Sequence, residues 1–266
     1  MNKQLSEAFS HMSLPQGWNI VFLPETDSTM LQLKSEQYAP QAGETTLLVT
    51  DFQTAGRGQR GTSWEADAGE NLLFGFIFQP ESVPVTHQFA LSEALALAVC
   101  RSLLHYAEGF SVKWPNDIYW HDKKICGMLL EHTVSGTHIS QSLTGVGINI
   151  NQRAFRSDAP NPISLWQIIG REVNRAEVLG EIVRQFSEQY VFIKEKKYDI
   201  VHEAYMRHLY RRQGFHQYRD AKGLFNASIE KISPLGMLTL KRPDGTLSTY
   251  AFKEVQAILN QHGTDQ

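Results

Sequence analysis

The sequence predicts an α+β fold, with a small β-barrel following a larger α+β domain. Three observations support this prediction. The chain has 266 residues, enough for one large core or two modest ones. Up to about Arg212, β-rich runs are interspersed with stretches of helical periodicity. After Gln213 only short alternating strands occur, so we expect a catalytic or binding domain over residues 1–212 and a second domain over residues 213–266.

The first elements are strands with one short helix between them. Asn19–Leu23 is predicted as a strand, and Asp27-Ser28-Thr29 offers short oxygen side chains that would cap a helix ending near Leu33. Thr46–Phe52 is rich in β-formers and leads into a loop with three glycines. Asn71–Gln79 is apolar and aromatic enough for a buried strand.

Two longer helices follow in the predicted order. Phe89–Tyr106 places its apolar side chains on one face at i+4 spacing: Leu91, Leu95, Val99 and Leu103. Three strands come next, near Val112, over Lys124–Glu131 and over His138–Asn149. Asn174 with Glu177 predicts a capping box for a helix with an apolar stripe formed by Leu179, Ile182, Val183, Phe186 and Tyr190.

The pattern in the last fifth of the chain predicts a small β-module. The predicted strands are Phe225–Ile232, Leu235–Lys241 and Leu247–Phe252, with a turn at Pro243-Asp244-Gly245.

Composition excludes several classes of function. A net charge of −3 argues against a general nucleic-acid-binding surface. The two cysteines, Cys100 and Cys126, encode neither a disulfide framework nor a cysteine zinc site, which fits a reducing cytoplasm. His202-Glu203…His208 puts two imidazoles on different helix faces, so a zinc hydrolase is not expected. No signal peptide and no long apolar run is present, and we expect no membrane partner.

The loop Gly56-Arg57-Gly58-Gln59-Arg60-Gly61 matches the G-x-G-x-x-G pattern, but its context differs from a dinucleotide fold. Thr62-Ser63-Trp64 follows it, then an acidic turn and a strand, where a helix would have to begin. Two guanidinium groups beside an aromatic side chain could neutralise a phosphate. The alternative interpretation is a solvated surface loop.

Three further segments concentrate polar groups and glycines. Lys113-Trp114-Pro115-Asn116-Asp117 offers a cation, an amide and a carboxylate, although Pro-Asn-Asp could also be only a tight turn. Lys124 opens an apolar strand with Gly127 three residues later. Gly145 and Gly147 share one face of a strand, which admits either a ligand or a closely packed neighbouring element.

Taken together and in this order, these motifs resemble the biotin–protein ligase family. The resemblance covers residues 19–151 with near-complete motifs and continues faintly beyond them. It implies a mixed sheet with flanking helices, related to class II aminoacyl-tRNA synthetases, followed by an SH3-like barrel. Only about 18 residues precede the first strand, too few for the DNA-binding domain of some members, so no DNA partner is expected.

The resemblance also implies residue roles. Ser28, Thr29 and Gln53 match the residues that bind the ureido ring of biotin. Arg57, between Gly56 and Gly58, matches the arginine that faces the biotin carboxylate and the adenylate phosphate. Arg60 stands beside Gln59, where members often carry a second arginine. Trp64 resembles the tryptophan that closes over the site.

The remaining roles fall on the later motifs. Lys113, Asn116 and Asp117 match phosphate- and nucleotide-side residues, and Lys124 matches the lysine near the activated carboxyl group. The catalytic residues implied are therefore Arg57, Lys113 and Lys124. Backbone positions of the biotin pocket match Gly127, Gly145 and Gly147, and Asn149 lies near the nucleotide. A tryptophan that stacks on adenine in some members is replaced near Pro162.

The implied reaction uses ATP and Mg²⁺ to form biotinyl-5′-AMP from biotin. A lysine of the biotin carboxyl carrier protein of a carboxylase then receives the biotin. A homodimer is compatible with the resemblance. Lipoate–protein ligases and octanoyl transferases share the fold and are the main alternative. The transferases use a cysteine nucleophile, but Cys126 in an apolar strand is more typical of a small core residue.

Overall fold

The computed structural model describes residue 9 and residues 11–56, 58, 64–156 and 161–259. Its larger sheet has seven strands in the order β1-β2-β3-β7-β6-β5-β4. β1 runs parallel to β2, whereas every other neighbouring pair is antiparallel, which makes the sheet mixed as predicted. The strands are β1 (Trp18–Thr26), β2 (Thr45–Gln53), β3 (Leu72–Phe78), β4 (Phe110–Lys113), β5 (Asp117–Trp120), β6 (Lys123–Ser135) and β7 (His138–Ile148).

Helices cover the two faces of this sheet unequally. The helices are α1 (Thr29–Leu33), α2 (Phe89–Leu104), α3 (Leu165–Ile169), α4 (Arg175–Lys194) and α5 (Tyr198–Arg207). α2 packs against α4 and α5, and its side chains form one large core with Phe74 and Phe76 of β3. Successive strand residues point to opposite faces, so Ile77 lies on the other face, in a smaller cluster with Met30 and Leu33 of α1.

The short helix α1 approaches the sheet at two glycines. Gly75 of β3 and Gly145 of β7 lie directly opposite each other. A Cβ atom at Gly75 would lie 3.0 Å from Leu33 Cδ1, and one at Gly145 would lie 2.6 Å from Met30 Cγ. The absence of side chains at both positions therefore lets α1 lie against the strands and leaves space for a site beside it.

The terminal residues form a second sheet, as predicted. It is antiparallel, in the order β11-β10-β9-β8-β12, with β8 (His216–Asp220), β9 (Gly223–Ile232), β10 (Leu238–Lys241), β11 (Leu247–Tyr250) and β12 (Gln256–Ala257). This arrangement is consistent with an SH3-like domain. Its buried side chains, including Tyr218 and Leu240, join the same apolar cluster as the first sheet. The boundary at Arg212 stays a prediction.

Two capping predictions were wrong in detail. Ser28 is the N-cap of α1, but its hydroxyl makes no capping bond. The Thr29 backbone N–H donates instead to Gln53 Oε1 at 2.8 Å, because the end of β2 lies beside the helix start. Asn174 caps α4 by accepting from the Ala176 N–H, and its amide donates to the Glu177 carboxylate. That pair is therefore not a reciprocal capping box.

The sequence patterns also missed short elements. β5 has only four residues and directly follows the Pro115 turn, and β12 has only two. The strand predicted over Leu235–Lys241 begins at Leu238, because Gly236 adopts a positive φ of 84° in the turn before it. The capping box that does form joins Ser164 and Gln167 at the start of α3.

Candidate functional site

A cavity of about 240 Å³ opens on the α1 face of the larger sheet. Motifs that are far apart in sequence meet in it. Eleven of the predicted site residues line it: Ser28, Thr29, Gln53, Gly58, Trp64, Asn116, Asp117, Lys124, Gly127, Gly145 and Gly147. We call this the first cavity.

One corner of the first cavity is polar and closely fixed. Ser28 and Thr29 are almost fully buried at the start of α1. Gln53 Oε1 accepts hydrogen bonds from the Thr29 N–H at 2.8 Å and the Thr29 hydroxyl at 3.2 Å. Since these bonds occupy the amide oxygen of Gln53, its NH₂ group is the part that a ligand acceptor could use. A preorganised corner of this kind suits a small polar ring.

Asp27 supports this corner from outside. Its carboxylate accepts from the Ser28 backbone N–H at 2.6 Å and from the Thr26 hydroxyl at 3.2 Å. The Ser28 hydrogen bond is the main cause of the lowered pKa of Asp27, because it stabilises the ionised form. The turn that carries Ser28 and Thr29 is therefore held by an ionised carboxylate.

Glycines and one tryptophan form the floor of the first cavity. Gly127 of β6 and Gly147 of β7 lie directly opposite each other. A Cβ atom at Gly147 would lie 2.5 Å from Trp64 Cε2, and one at Gly127 would lie 3.1 Å from Trp64 Cζ3. The indole ring thus rests on bare backbone, which is the close packing by a neighbouring element that the sequence left open.

The Trp64 ring is anchored through its backbone and carries an unused donor. The Trp64 backbone N–H donates to the Gly56 carbonyl oxygen at 3.0 Å, which holds Trp64 beside Gly56. Among the described residues, its buried indole Nε1 has no hydrogen-bond partner. A buried N–H without a partner is costly, and a ligand oxygen in the cavity could satisfy it.

An ion pair marks the charged end of the first cavity. Lys124 Nζ lies 2.8 Å from Asp117 Oδ1, and both side chains are partly exposed. The same ammonium group lies 5.8 Å from the centre of the Trp64 ring. Lys124 is therefore a cation placed between a carboxylate and the aromatic floor, where it can meet a negatively charged ligand group.

The turn before Asp117 is fixed from three sides. The Asn116 side-chain amide donates to the Met128 carbonyl, and the Met128 N–H donates to the Asn116 carbonyl at 3.1 Å. The Tyr205 hydroxyl of α5 donates to the Pro115 carbonyl at 3.2 Å. Trp114 Nε1 donates to the Gly236 carbonyl of the terminal module at 3.0 Å. These bonds make Asn116 and Asp117 rigid parts of the cavity wall.

Lys113 does not line the first cavity. It lines a second cavity of about 400 Å³ at the junction with the terminal sheet, and Asp117, Phe252 and Lys253 line both. Its ammonium group donates to the Tyr119 hydroxyl at 3.0 Å. Burial is the main cause of its lowered pKa, with Asp117 acting in the opposite direction and Arg211 adding to the decrease. The structure therefore separates the two predicted catalytic lysines.

Asn149 lies beside the site but not in its wall. Its side-chain amide donates to the Ile163 carbonyl at 3.0 Å, and its N–H donates to the Ile125 carbonyl at 2.9 Å. Its buried Oδ1 has no hydrogen-bond partner within the part of the chain described. Gly56 stands at the loop entrance, whereas the predicted residues Arg57 and Arg60 lie outside the described residues.

Six residues that line the first cavity were not among those predicted: Met30, Met128, Leu129, Val146, Phe252 and Lys253. Met30 and Leu129 supply an apolar wall, and Phe252 and Lys253 reach the cavity from the terminal module. Met30 could have been found, because it directly follows Thr29 in a short helix. No local pattern links Phe252 and Lys253 to the site, since only the packing of the two sheets brings them there.

Cys126 is not placed for chemistry. Its side chain is fully buried in the large core, on the face opposite to its neighbour Gly127. Burial raises the pKa of the Cys126 thiol well above its usual value, so a thiolate is disfavoured. The geometry therefore gives no support to a cysteine nucleophile at this position.

The described residues contain no group of three or more histidine, cysteine, aspartate or glutamate side chains arranged to hold a metal ion. None of the helices formed by these residues is both long and apolar enough to cross a membrane.

Comparisons with known proteins agree with this geometry. Residues 22–149 match the biotin/lipoate A/B protein ligase family. A bifunctional ligase/repressor BirA of Bacillus spizizenii is 33% identical over 156 residues, which cover 56% of this chain and 47% of that protein. A biotin–[acetyl-CoA-carboxylase] ligase of Paracoccus denitrificans is 29% identical over 62% of this chain and 70% of its own length. The chain thus spans about half the length of the first of these relatives.

A solved structure extends the similarity beyond the family match. The biotin protein ligase of Aquifex aeolicus, in complex with biotin and ATP, superposes with a TM-score of 0.74 at 28% identity, covering 90% of this chain and 99% of that one. The predicted α+β fold class is confirmed. Over residues 22–149, just under half of its length, the chain is thus similar to the biotin/lipoate A/B protein ligase family.

Proposed function

We propose that the protein is a biotin–protein ligase that forms biotinyl-5′-AMP from biotin and ATP and transfers the biotin to a lysine of a biotin carboxyl carrier protein. One observation carries the proposal. The first cavity has a polar corner of Ser28, Thr29 and Gln53 at one end and the Lys124–Asp117 ion pair at the other. Between them lies the floor of glycines and the Trp64 ring. This arrangement suits a ligand with a small polar ring at one end and a carboxylate at the other.

The polar corner would hold the ureido ring. A ureido group offers one carbonyl acceptor and two N–H donors. The Gln53 NH₂ group can donate to the carbonyl, and the buried Ser28 hydroxyl can donate or accept. The Thr29 hydroxyl, whose proton is donated to Gln53 Oε1, can accept from a ring N–H. Because the Thr29–Gln53 bonds fix this corner from within the protein, little reorganisation is needed on binding.

The first step would take place at the charged end. The biotin carboxylate attacks the α-phosphorus of ATP, and pyrophosphate leaves with the bond electrons. Lys124 can hold the carboxylate and meet charge that develops on the phosphate, because its ammonium group is already fixed beside Asp117. The roles proposed for Arg57 and Arg60 as additional cations rest on the resemblance alone.

Mg²⁺ would supply counter-charge to the phosphates of ATP when it is bound. Such an ion keeps most of its ligands from phosphate and water and needs only one or two protein carboxylates. Asp117 is the one carboxylate among the described residues that line the first cavity, so the donor set fits this mode of binding. Asp117 would then contact the ion and give up part of its contact with Lys124.

The second step needs protection from water and access for the carrier lysine. Trp64 covers the glycine floor and could shield the mixed anhydride from hydrolysis. The lysine amine attacks the biotinyl carbonyl carbon, the C–O bond to AMP breaks, and AMP leaves as the phosphate anion. Neither step uses an enzyme nucleophile, which agrees with the burial of Cys126. The two free thiols support a cytoplasmic location.

The test is formation of the acyl-adenylate. The protein is incubated with α-labelled ATP, Mg²⁺ and either biotin, lipoate or octanoate, and the products are separated by thin-layer chromatography. We expect an adenylate with biotin and none with the other two acids. An adenylate formed from lipoate alone would assign the chain to the alternative ligase activity, and no adenylate with any acid would contradict the proposal.

A further inference from the structure

The apolar wall of the first cavity is formed by a methionine that lies on a glycine. Met30 directly follows Thr29 in α1, and only 8% of its surface is exposed. A Cβ atom at Gly145 would lie 2.6 Å from Met30 Cγ and 2.8 Å from Met30 Sδ. The thioether therefore occupies the volume that any side chain at position 145 would need.

This wall is independent of the aromatic floor. Trp64 lies over Gly127 and Gly147, whereas Met30 lies over Gly145. Trp64 belongs to a loop, but Met30 belongs to a helix whose first N–H is bound to Gln53. Met30 also packs in a cluster with Leu33, Leu48, Ile77 and Leu143, so its position is supported from behind.

The wall meets the polar corner at consecutive residues. The Thr29 hydroxyl interacts with Gln53, and the next side chain, Met30, lines the same cavity beside Leu129. A ligand with its polar ring edge against Thr29 must therefore place its next apolar atoms against Met30. In biotin those atoms belong to the thiophane ring, which is fused to the ureido ring.

We propose that Met30, seated on Gly145, is a specificity-determining residue that sets the depth of the acyl-substrate cavity at the thiophane ring. The inference rests on the proposed function for the identity of the substrate. An unbranched thioether fills such a gap closely and adapts its shape, so its length limits what fits in front of it. Removing it would open space next to Gly145, and adding a methyl group at 145 would refill part of that space.

The test is a double-substitution cycle read out by two ligands. Dissociation constants for biotin and for biotin sulfone, which carries two extra oxygens on the thiophane sulfur, are measured by calorimetry without ATP. Met30→Ala removes contacts with about three heavy atoms and should weaken biotin binding about tenfold. It should also lower the dissociation constant of biotin sulfone, relative to that of biotin, by about tenfold, because the two added oxygens would then fit in the space that Met30 leaves.

The second half of the cycle restores the volume. Gly145→Ala alone should weaken biotin binding about tenfold, because its methyl group pushes Met30 into the cavity. The Met30→Ala/Gly145→Ala pair should return biotin binding to within about threefold of the parent and restore the parent ratio. If the loss of biotin binding free energy in the pair equals the sum of the losses in the two single variants, the inference is overturned.

Two further variants keep the result interpretable. Leu103→Ala removes a side chain of α2 in the large core, on the opposite face of the sheet and away from the cavity, so it should lower thermal stability without changing the ligand ratio. Met30→Leu conserves volume while shortening the side chain, so it should fold and lower the ratio by about threefold. An unchanged ratio in both Met30 variants would refute the role of Met30. Absence of biotin binding by the parent protein would instead refute the proposed function.

Discussion

Gly147 gives the sharpest test of how the floor of the first cavity works. A methyl group at this position would lie 2.5 Å from Trp64 Cε2 and 2.6 Å from Nε1, distances that real Cβ atoms essentially never show. The ring must therefore move in Gly147→Ala. Since Trp64 belongs to a loop, we expect the ring to shift while the sheet stays intact.

The expected magnitude follows from the packing. Overfilling a close contact costs about 1–3 kcal/mol, which corresponds to roughly a 5- to 150-fold loss of affinity if the loss falls on the bound state. Gly127→Ala is the matched comparison, because its methyl group would lie 3.1 Å from the same ring and needs a shift of only a few tenths of an ångström. It should weaken biotin binding less than about fivefold.

Biotin titration by calorimetry, with thermal melting of each variant, provides the measurement. Gly180→Ala serves as the fold control, since a methyl group there meets only Met12 Cε at 3.9 Å. It should raise helix stability by about 0.5–1 kcal/mol and leave biotin binding unchanged. If Gly147→Ala binds biotin within twofold of the parent, the ring does not form the floor of the ligand site.

Three further predictions concern charge and the core. The resemblance places Lys113 on the phosphate side of the nucleotide, and its cavity shares Asp117 with the first one. Lys113→Ala should therefore lower the adenylation rate by on the order of a hundredfold, about 3 kcal/mol, with biotin affinity unchanged. Lys124→Ala should lower both the rate and the affinity, and the reverse pattern in single-turnover kinetics and calorimetry would exchange the roles of the two lysines. His202 Nδ1 lies 2.7 Å from the buried carboxylate of Glu93. The hydrogen bond between them is the main cause of the raised pKa of His202. The pKa of Glu93 is raised as well, mainly by burial. A raised pKa means that the folded state holds its proton more tightly, so this stabilisation is present below pH 6.5, the ordinary pKa of histidine, and is lost as pH rises through the raised value. Urea midpoints should therefore fall less between pH 6.5 and 8 in His202→Gln than in the parent, and an equal fall would contradict the pairing. Cys126→Ala should keep biotin adenylation within about twofold of the parent while costing about 1 kcal/mol of stability, and loss of adenylation in a folded variant would restore the cysteine alternative.

The sequence predicted the fold where long-range packing and local pattern agree. The apolar periodicity of Phe89–Tyr106 became α2, and the alternation after Gln213 became the second sheet. The sequence-based prediction failed where a hydrogen-bond partner from a distant part of the chain replaces a neighbouring one. The start of α1 is capped by Gln53 from a neighbouring strand, although three local side chains could have done so.

For the site, the sequence predicted which residues line the cavity better than it predicted which side chains pack against each other there. Gly127, Gly145 and Gly147 line the first cavity as the resemblance implies, yet Trp64 and Met30 already pack on them. A one-dimensional pattern cannot tell which side chain will lie over a glycine. Nor can it show that Lys113 and Lys124 enter different cavities, because that depends on how β4, β5 and the terminal sheet meet.

Transfer of biotin to a carrier domain tests the central claim most directly. The protein is incubated with biotin, ATP, Mg²⁺ and a purified biotin carboxyl carrier domain, and the intact mass of the carrier is recorded. A carrier in which the acceptor lysine is replaced by arginine is the control. We predict one added biotinyl group on the parent carrier, none on the control, and slower addition when Lys124→Ala replaces the parent protein. An unmodified parent carrier under conditions in which biotinyl-adenylate forms would contradict the account.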